Sequence, residues 1–257
     1  MNDSNPYEAP ETDLQTAEEI GDPRGVATGR GTAWISEGFG LFKQSPMIWI
    51  IMMVVMFVVQ IVLALIPVVG QIAGNVIWPV FTAGIMAGCA ALDDGDELSI
   101  SYLFAGFSEK AGPLLGLGAM YMIMVMSVVL VGVLLGAGMG VGIAGLAGGE
   151  GGITGGETAA MGGLIMVGLI IMGLFVPVIM AIWFAPALVM LADKGVFESL
   201  KLSFVGCLKN IMPFLIYGIV AFILLIIAMI PLGLGLLIMV PVLMAAMYAS
   251  YKDIYGV

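Results

Sequence analysis

Residues 47–66 read MIWIIMMVVMFVVQIVLALI, twenty positions without a charge. As a helix the stretch is roughly 30 Å long, the thickness of a bilayer's hydrocarbon core. Thirteen of the twenty are Ile, Val, Leu or Phe. At about −0.3 to −0.6 kcal/mol each, they favour insertion by roughly 4–8 kcal/mol before Gln60 subtracts its share. A soluble core helix seldom runs so far without a polar stripe. The fold class that follows is all-α: a polytopic membrane protein.

Outward from that stretch, further spans are expected at 71–92, 113–135, 164–191, 211–230 and 232–251. The short Pro67-Val68-Val69-Gly70 link makes the first two a helical hairpin. Gly84 and Gly88, four apart, form a small-residue face that lets another helix come close. The 28 residues of 164–191 would measure about 42 Å, too long for one upright crossing. Pro177 and Pro186 are expected to kink that helix, or its end to leave the core. Residues 136–163 hold thirteen glycines and two charges, Glu150 and Glu157. They read as a flexible loop.

The net charge of −10 belongs largely to the start of the chain. Asp3, Glu8, Glu11, Asp13, Glu18, Glu19 and Asp22 precede any apolar run. Residues 1–30 are therefore expected to be a disordered acidic tail ahead of a membrane domain at 31–257. Asn5-Pro6-Tyr7-Glu8-Ala9-Pro10 reads as a polar leader in preference to a docking peptide. No basic region leads into an apolar one there, so the tail is not a signal peptide.

Three openings repeat: Lys43-x-x-Pro46, Lys110-x-x-Pro113 and Lys209-x-x-x-Pro213. An aromatic amphipathic stretch precedes each. Each hairpin closes with a proline-bearing helix and then an aspartate (Asp93, Asp193, Asp253). From opening Lys to closing Asp the lengths are 50, 83 and 44 residues, and the middle excess matches the glycine-rich stretch. Three two-helix repeats, the second carrying an insertion, account for this. The amphipathic stretches are expected to lie in the membrane plane. Trp34, Phe39, Phe42 and Lys43, then Phe107 and Lys110, then Phe204 and Lys209 would form a collar at the lipid headgroups.

All eight basic residues fall before span one, between spans two and three, between four and five, or after six. The positive-inside rule then places both termini and the three amphipathic helices in the cytoplasm, and the glycine-rich loop outside.

The N-P-Y-x-x-P leader and the following G-x-x-W-I-x-E-G-F-x-L-F at residues 31–42 resemble uncharacterised bacterial inner-membrane proteins. These are similar in turn to the membrane domain attached to some glycerophosphodiester phosphodiesterases. The resemblance implies six helices in a bacterial inner membrane. It carries over no catalytic residue, because the enzyme's soluble domain is absent.

Little in the chain points to catalysis. There is no histidine, the usual general base and metal ligand. Cys89 and Cys207 read as packing residues and not as a disulfide. Gly136-x-Gly138-x-Gly140 lacks the lysine and the flanking strand of a phosphate loop. Asp93, Asp94, Asp96 and Glu97 lack the calcium-loop pattern. No catalytic residue, cofactor, metal or nucleic-acid partner is expected. Helix-breaking prolines at corresponding positions of repeats can mark a midplane site. Pro79, Pro177, Pro186 and Pro241 fit that description, with Gln60 and Asn75 as polar companions. No span carries an Asp, Glu, Lys, Arg or His in its interior, which argues against ion coupling. The expected function is a non-enzymatic scaffold or accessory subunit that organises lipid, partner proteins or copies of itself. The alternative is a passive pathway or carrier for a lipid or small neutral solute.

The orientation is testable by single cysteines at Thr154 and Gly95 in a variant lacking Cys89 and Cys207. An impermeant thiol reagent added to spheroplasts should label position 154 and spare position 95. The opposite pattern inverts the topology.

Overall fold

The computed structural model describes residues 20–138 and 157–257. The described elements are helices α1 (Arg30–Gln44), α2 (Pro46–Ala64), α3 (Val69–Asp93), α4 (Ala105–Glu109) and α5 (Ala111–Gly138). They continue with α6 (Glu157–Trp183), α7 (Ala185–Leu191), α8 (Val196–Lys209), α9 (Ile211–Met229) and α10 (Leu236–Tyr255). A 3₁₀ turn, Ile100–Phe104, leads into α4. Among the described residues there is no strand. Six helical segments are long and apolar enough to cross a membrane: α2, α3, α5, the joined α6–α7, α9 and α10. The chain is an all-α polytopic membrane protein.

Several boundaries differ from the sequence reading, each for a local reason. The sixth span begins at Leu236 and not at 232, because Leu232 turns the chain with φ 53. Helix extends to Gly138 and resumes at Glu157, so both margins of the glycine-rich stretch are helical. Its middle, residues 139–156, lies outside the described residues.

The long fourth segment stays helical across Pro177 and breaks at Phe184, two residues ahead of Pro186. Pro186 has no N–H for the Ile182 carbonyl, and its ring crowds that carbonyl. The buried Ser203 of α8 completes the break. Its hydroxyl accepts from the Phe184 N–H at 2.9 Å and donates to the Met180 carbonyl at 2.7 Å. It stands where the helix's own bond from residue 184 to 180 would be.

Part of the expected tail is held against the membrane domain. Residues 1–19 lie outside the described residues, but 20–29 form an ordered strap. The fully buried Asn210 holds it from both sides. Its side chain accepts from the Val26 N–H at 2.8 Å and donates to the Arg24 carbonyl at 2.9 Å. Arg24 donates its own N–H to Ile254 O, and Lys209 donates to Pro23 O. Ile20 and Val26 pack on the core. An acidic composition predicts disorder only where no buried partner answers the backbone.

Each amphipathic segment packs on the closing helix of the neighbouring hairpin, in cyclic order. The segment ahead of the first hairpin, α1, lies on α10. The 3₁₀ turn and α4 lie on α3, and α8 lies on α6 and α7. The closing helices α3 and α10 are the most buried spans, while α2, α5, α9 and the joined α6–α7 turn most of their surface outward.

Glycine permits the tightest approaches. A Cβ on Gly31 would come 2.2 Å from Pro213 O, and one on Gly38 would come 2.5 Å from Val242 O. Gly84 meets the backbone of the 3₁₀ turn at Tyr102 O, and not another spanning helix.

Gly38→Ala should lower the melting temperature, because overpacking against fixed backbone costs about 1–3 kcal/mol. Gly40→Ala on the same helix meets nothing within 4 Å and should be neutral or stabilising by up to about 1 kcal/mol. A thiol-reactive dye reporting on the buried Cys89 and Cys207 during heating measures both. Equal effects would refute the close contact.

Candidate functional site

Two regions gather the polar groups of this molecule. The first is the charged face, where both described chain ends lie. Asp253, at the end of α10, accepts from Arg30 Nε and from Trp34 Nε1, the latter at 2.9 Å. Arg30 also pairs with Glu37 at 2.9 Å, and Arg24 donates to the Asp253 carbonyl. The hydrogen bond that Arg30 donates to Asp253 raises the Arg30 pKa, and partial burial works against it.

The other two closing aspartates are paired as well: Asp93 with Lys252 and Asp193 with Lys110. A pocket of about 490 Å³ opens among Arg24, Arg30, Glu37, Gln44, Asp93, Lys252 and Asp253. Its three cations face three carboxylates, so its formal charge balances. Nearby, burial pushes the Cys207 thiol up to about 12, which keeps it protonated and unreactive.

This geometry corrects the collar. Trp34 is wholly enclosed, with its ring 5.3 Å from Phe214 and 6.4 Å from Tyr217. Phe42 is buried too. Neither reaches lipid, because Gly31 and Gly38 draw α1 onto the backbones of α9 and α10. Phe39 remains exposed beneath Lys43, whose Nζ sits 5.1 Å from its ring. Phe107 is partly exposed and packs its ring against Phe81 at 5.3 Å. Lys110 and Lys209 spend their charge on Asp193 and on Pro23 O. Phe204 is half-buried on α8.

The second region is a cavity of about 670 Å³ among the spanning helices. On one side α3 supplies Asn75, Trp78, Pro79 and Thr82, and α5 supplies Tyr121. From α6 and α7 come Ile179, Ile182, Trp183 and Pro186. Tyr217, Ala221 and Leu225 of α9 and Val240, Leu243, Met244 and Met247 of α10 complete it. No lining residue is charged. The α10 residues stand at i, i+3, i+4 and i+7, one helical face.

Three of the lining polar side chains bond to nearby carbonyls. Asn75 Nδ2 donates to Gln71 O, Thr82 to Trp78 O, and the Tyr217 hydroxyl to Leu243 O. The buried Trp183 indole N–H has no partner among the described residues. A smaller recess of about 180 Å³ adjoins, lined by Gln60, Gln71, Asn75 and Trp78 among others. Asn75 and Trp78 belong to both spaces.

Asn75, Pro79 and Pro186 of the expected pathway therefore line the large cavity, and Gln60 joins through the recess. Pro241 is buried next to the lining residue Val240. Pro177 is exposed on α6 and lines neither space. Trp78 and Trp183 are lining residues that the sequence reading missed. Tryptophan within a span, away from the interface where it is enriched, was the available signal.

No protein-family model matches this chain, and no solved structure matches it. The chain is 27% identical over 260 residues to a protein of Burkholderia thailandensis named a probable inner membrane protein. The match covers 90% of this chain and 93% of that protein. The six helices long and apolar enough to cross a membrane make this chain a multi-pass membrane protein, which agrees with that name. The likeness of residues 31–42 to a phosphodiesterase membrane domain gains no support from the match.

Removing the joint at Asp253 should cost stability in a graded way. Asp253→Asn keeps an acceptor for Trp34 Nε1 and should cost less than Asp253→Ala. The Ala variant leaves the Trp34 indole N–H unanswered and Arg30 with Glu37 alone, a loss of about 1.5–3 kcal/mol for a bond to a charged group. Dye-monitored melting ranks the two, and equal losses would mean that Trp34 gains nothing from the acceptor.

Proposed function

We propose that the protein binds a lipid or small neutral amphiphile inside the membrane, as a non-enzymatic carrier or passive pathway. One observation carries the reading: an uncharged cavity of about 670 Å³ at the junction of the three proline-bearing closing helices. Its size falls in the range of ligand sites, and its lining is largely apolar with a few polar groups. The adjoining recess of Gln60, Gln71 and Asn75 offers uncharged donors and acceptors to a neutral head. An apolar body would then lie against Ile179, Ile182 and Leu243. The lack of any Asp, Glu, Lys, Arg or His in the lining favours a neutral ligand and disfavours ion coupling.

The one-sided basic residues support an orientation with the charged face and both chain ends in the cytoplasm. A scaffold or accessory role for partner proteins is the competing reading, and one experiment separates the two. Protein purified from native membrane is analysed by mass spectrometry for bound protein and lipid, alongside Ala221→Phe. Ala221 lines the cavity, so the larger ring fills it. The carrier reading expects one dominant neutral lipid or small molecule with the wild-type protein. It should be depleted at least several-fold in the variant, with melting unchanged. A stoichiometric protein partner and no enriched small molecule would favour the scaffold instead.

A further inference from the structure

We infer that the turn of the third hairpin, residues 231–234, stops short of water. It is seated among the acyl chains of the leaflet opposite the charged face. Helix length is the first argument. The paired residues Lys252 and Asp253 mark the headgroup level at one end of α10. From Asp253 back to Leu236 the helix rises about 26 Å, and the 19 residues of α9 measure about 28 Å. A bilayer spans about 40–45 Å with its headgroups. By contrast, α5 with 28 residues measures about 42 Å and matches it. The third hairpin is therefore about 14 Å shorter than the second helix pair's opening member.

Composition is the second argument. Residues 229–240 read MIPLGLGLLIMV, with no polar side chain. Leu232 at the tip is 96% exposed, and Ile230 and Leu234 are exposed beside it. A loop at the water surface has no reason to present only leucine and isoleucine, whereas acyl chains match them.

The backbone is the third argument. In hydrocarbon a turn must satisfy its own N–H groups, because no water is there to do so. This turn largely does. Leu232 donates to Ile230 O, Gly233 to Met229 O, Leu234 to Pro231 O and Leu236 to Gly233 O, all at 2.9–3.0 Å. Pro231 has no N–H to satisfy. Leu232 and Gly233, at φ 53 and φ 80, close the chain tightly enough for these bonds.

Lipid is the occupant because the shortfall is measured against the bilayer itself. A hairpin anchored by charges at one headgroup layer and ending within about 30 Å leaves its tip under the opposite one. The tip then lies near the end of α10 where Val240 begins the cavity lining.

The test uses nitroxide labels on single cysteines in the full chain lacking Cys89 and Cys207, reconstituted in phosphatidylethanolamine–phosphatidylglycerol vesicles. Labels are placed at Leu232, at Leu234, at Phe222 as a mid-span lipid control and at Asp96 as an aqueous control. Collision rates with oxygen and with a water-soluble nickel chelate are compared. The inference expects the oxygen-to-nickel ratio at 232 and 234 to match that at 222. A ratio like that at 96 puts the tip in water and overturns it. Low collision with both reagents means that protein covers the tip, a second copy or another subunit, and overturns it equally. Label 232 sits on the most exposed side chain of the turn, and label 234 repeats the reading should 232 disturb the fold.

Discussion

The carboxylate of Asp253 joins parts of the chain that are far apart in sequence. It receives the Arg30 guanidinium and the Trp34 indole, and its own carbonyl receives Arg24. One residue at the end of α10 thus fixes the strap, α1 and the entry to the first hairpin. Helices in a bilayer gain little by burying apolar surface against each other, since lipid tails are as apolar as leucine. What remains is close packing and a few polar joints. Gly31 and Gly38 bring α1 against the backbones of α9 and α10, and Asp253 sets its register. The cyclic order of amphipathic segments on closing helices is closed by this contact.

The placement of the prolines follows from the same solvent. A proline inside a helix leaves a carbonyl without its donor, and hydrocarbon offers no replacement. Pro79, Pro186 and Pro241 lie on buried parts of the closing helices, where protein groups are at hand. Ser203 steps into the broken ladder before Pro186, accepting from the Phe184 N–H and donating to Met180 O. Helices bent or broken in this way do not pack flush along their length. The cavity opens beside Pro79 and Pro186. Its uncharged character and its position share one cause.

The six spans were legible because hydropathy over twenty residues has few competing explanations. The role of α1 was not. A stripe of Trp and Phe ending in Lys describes a helix lying on lipid as well as a helix docked on protein. The deciding residues were glycines: Gly31 and Gly38 stand two turns apart on the Trp34 face, and small residues on an aromatic face imply a backbone opposite. The strap at 20–29 was hidden for another reason. Its partner Asn210 lies more than 180 residues away, and pairing at that distance leaves no local pattern. Asn75, Pro79 and Pro186 could be named from sequence because prolines and lone amides stand out in apolar runs. Ile179 and Leu243 could not, since nothing separates a cavity-facing Leu from a lipid-facing one.

The two polar regions share one wall. Along α10, Val240, Leu243, Met244 and Met247 face the apolar cavity, and the next residue, Tyr248, lines the charged pocket with Lys252 and Asp253. Adjacent residues on a helix point about 100° apart, so one rigid element presents different faces to the two spaces. The ion pairs at its end tie α10 to α3 through Asp93 and to α1 through Arg30. A shift of α10 that widened the cavity would have to pull on both pairs. The strength of the charged face therefore limits how far the cavity can open, although no charged group lines it.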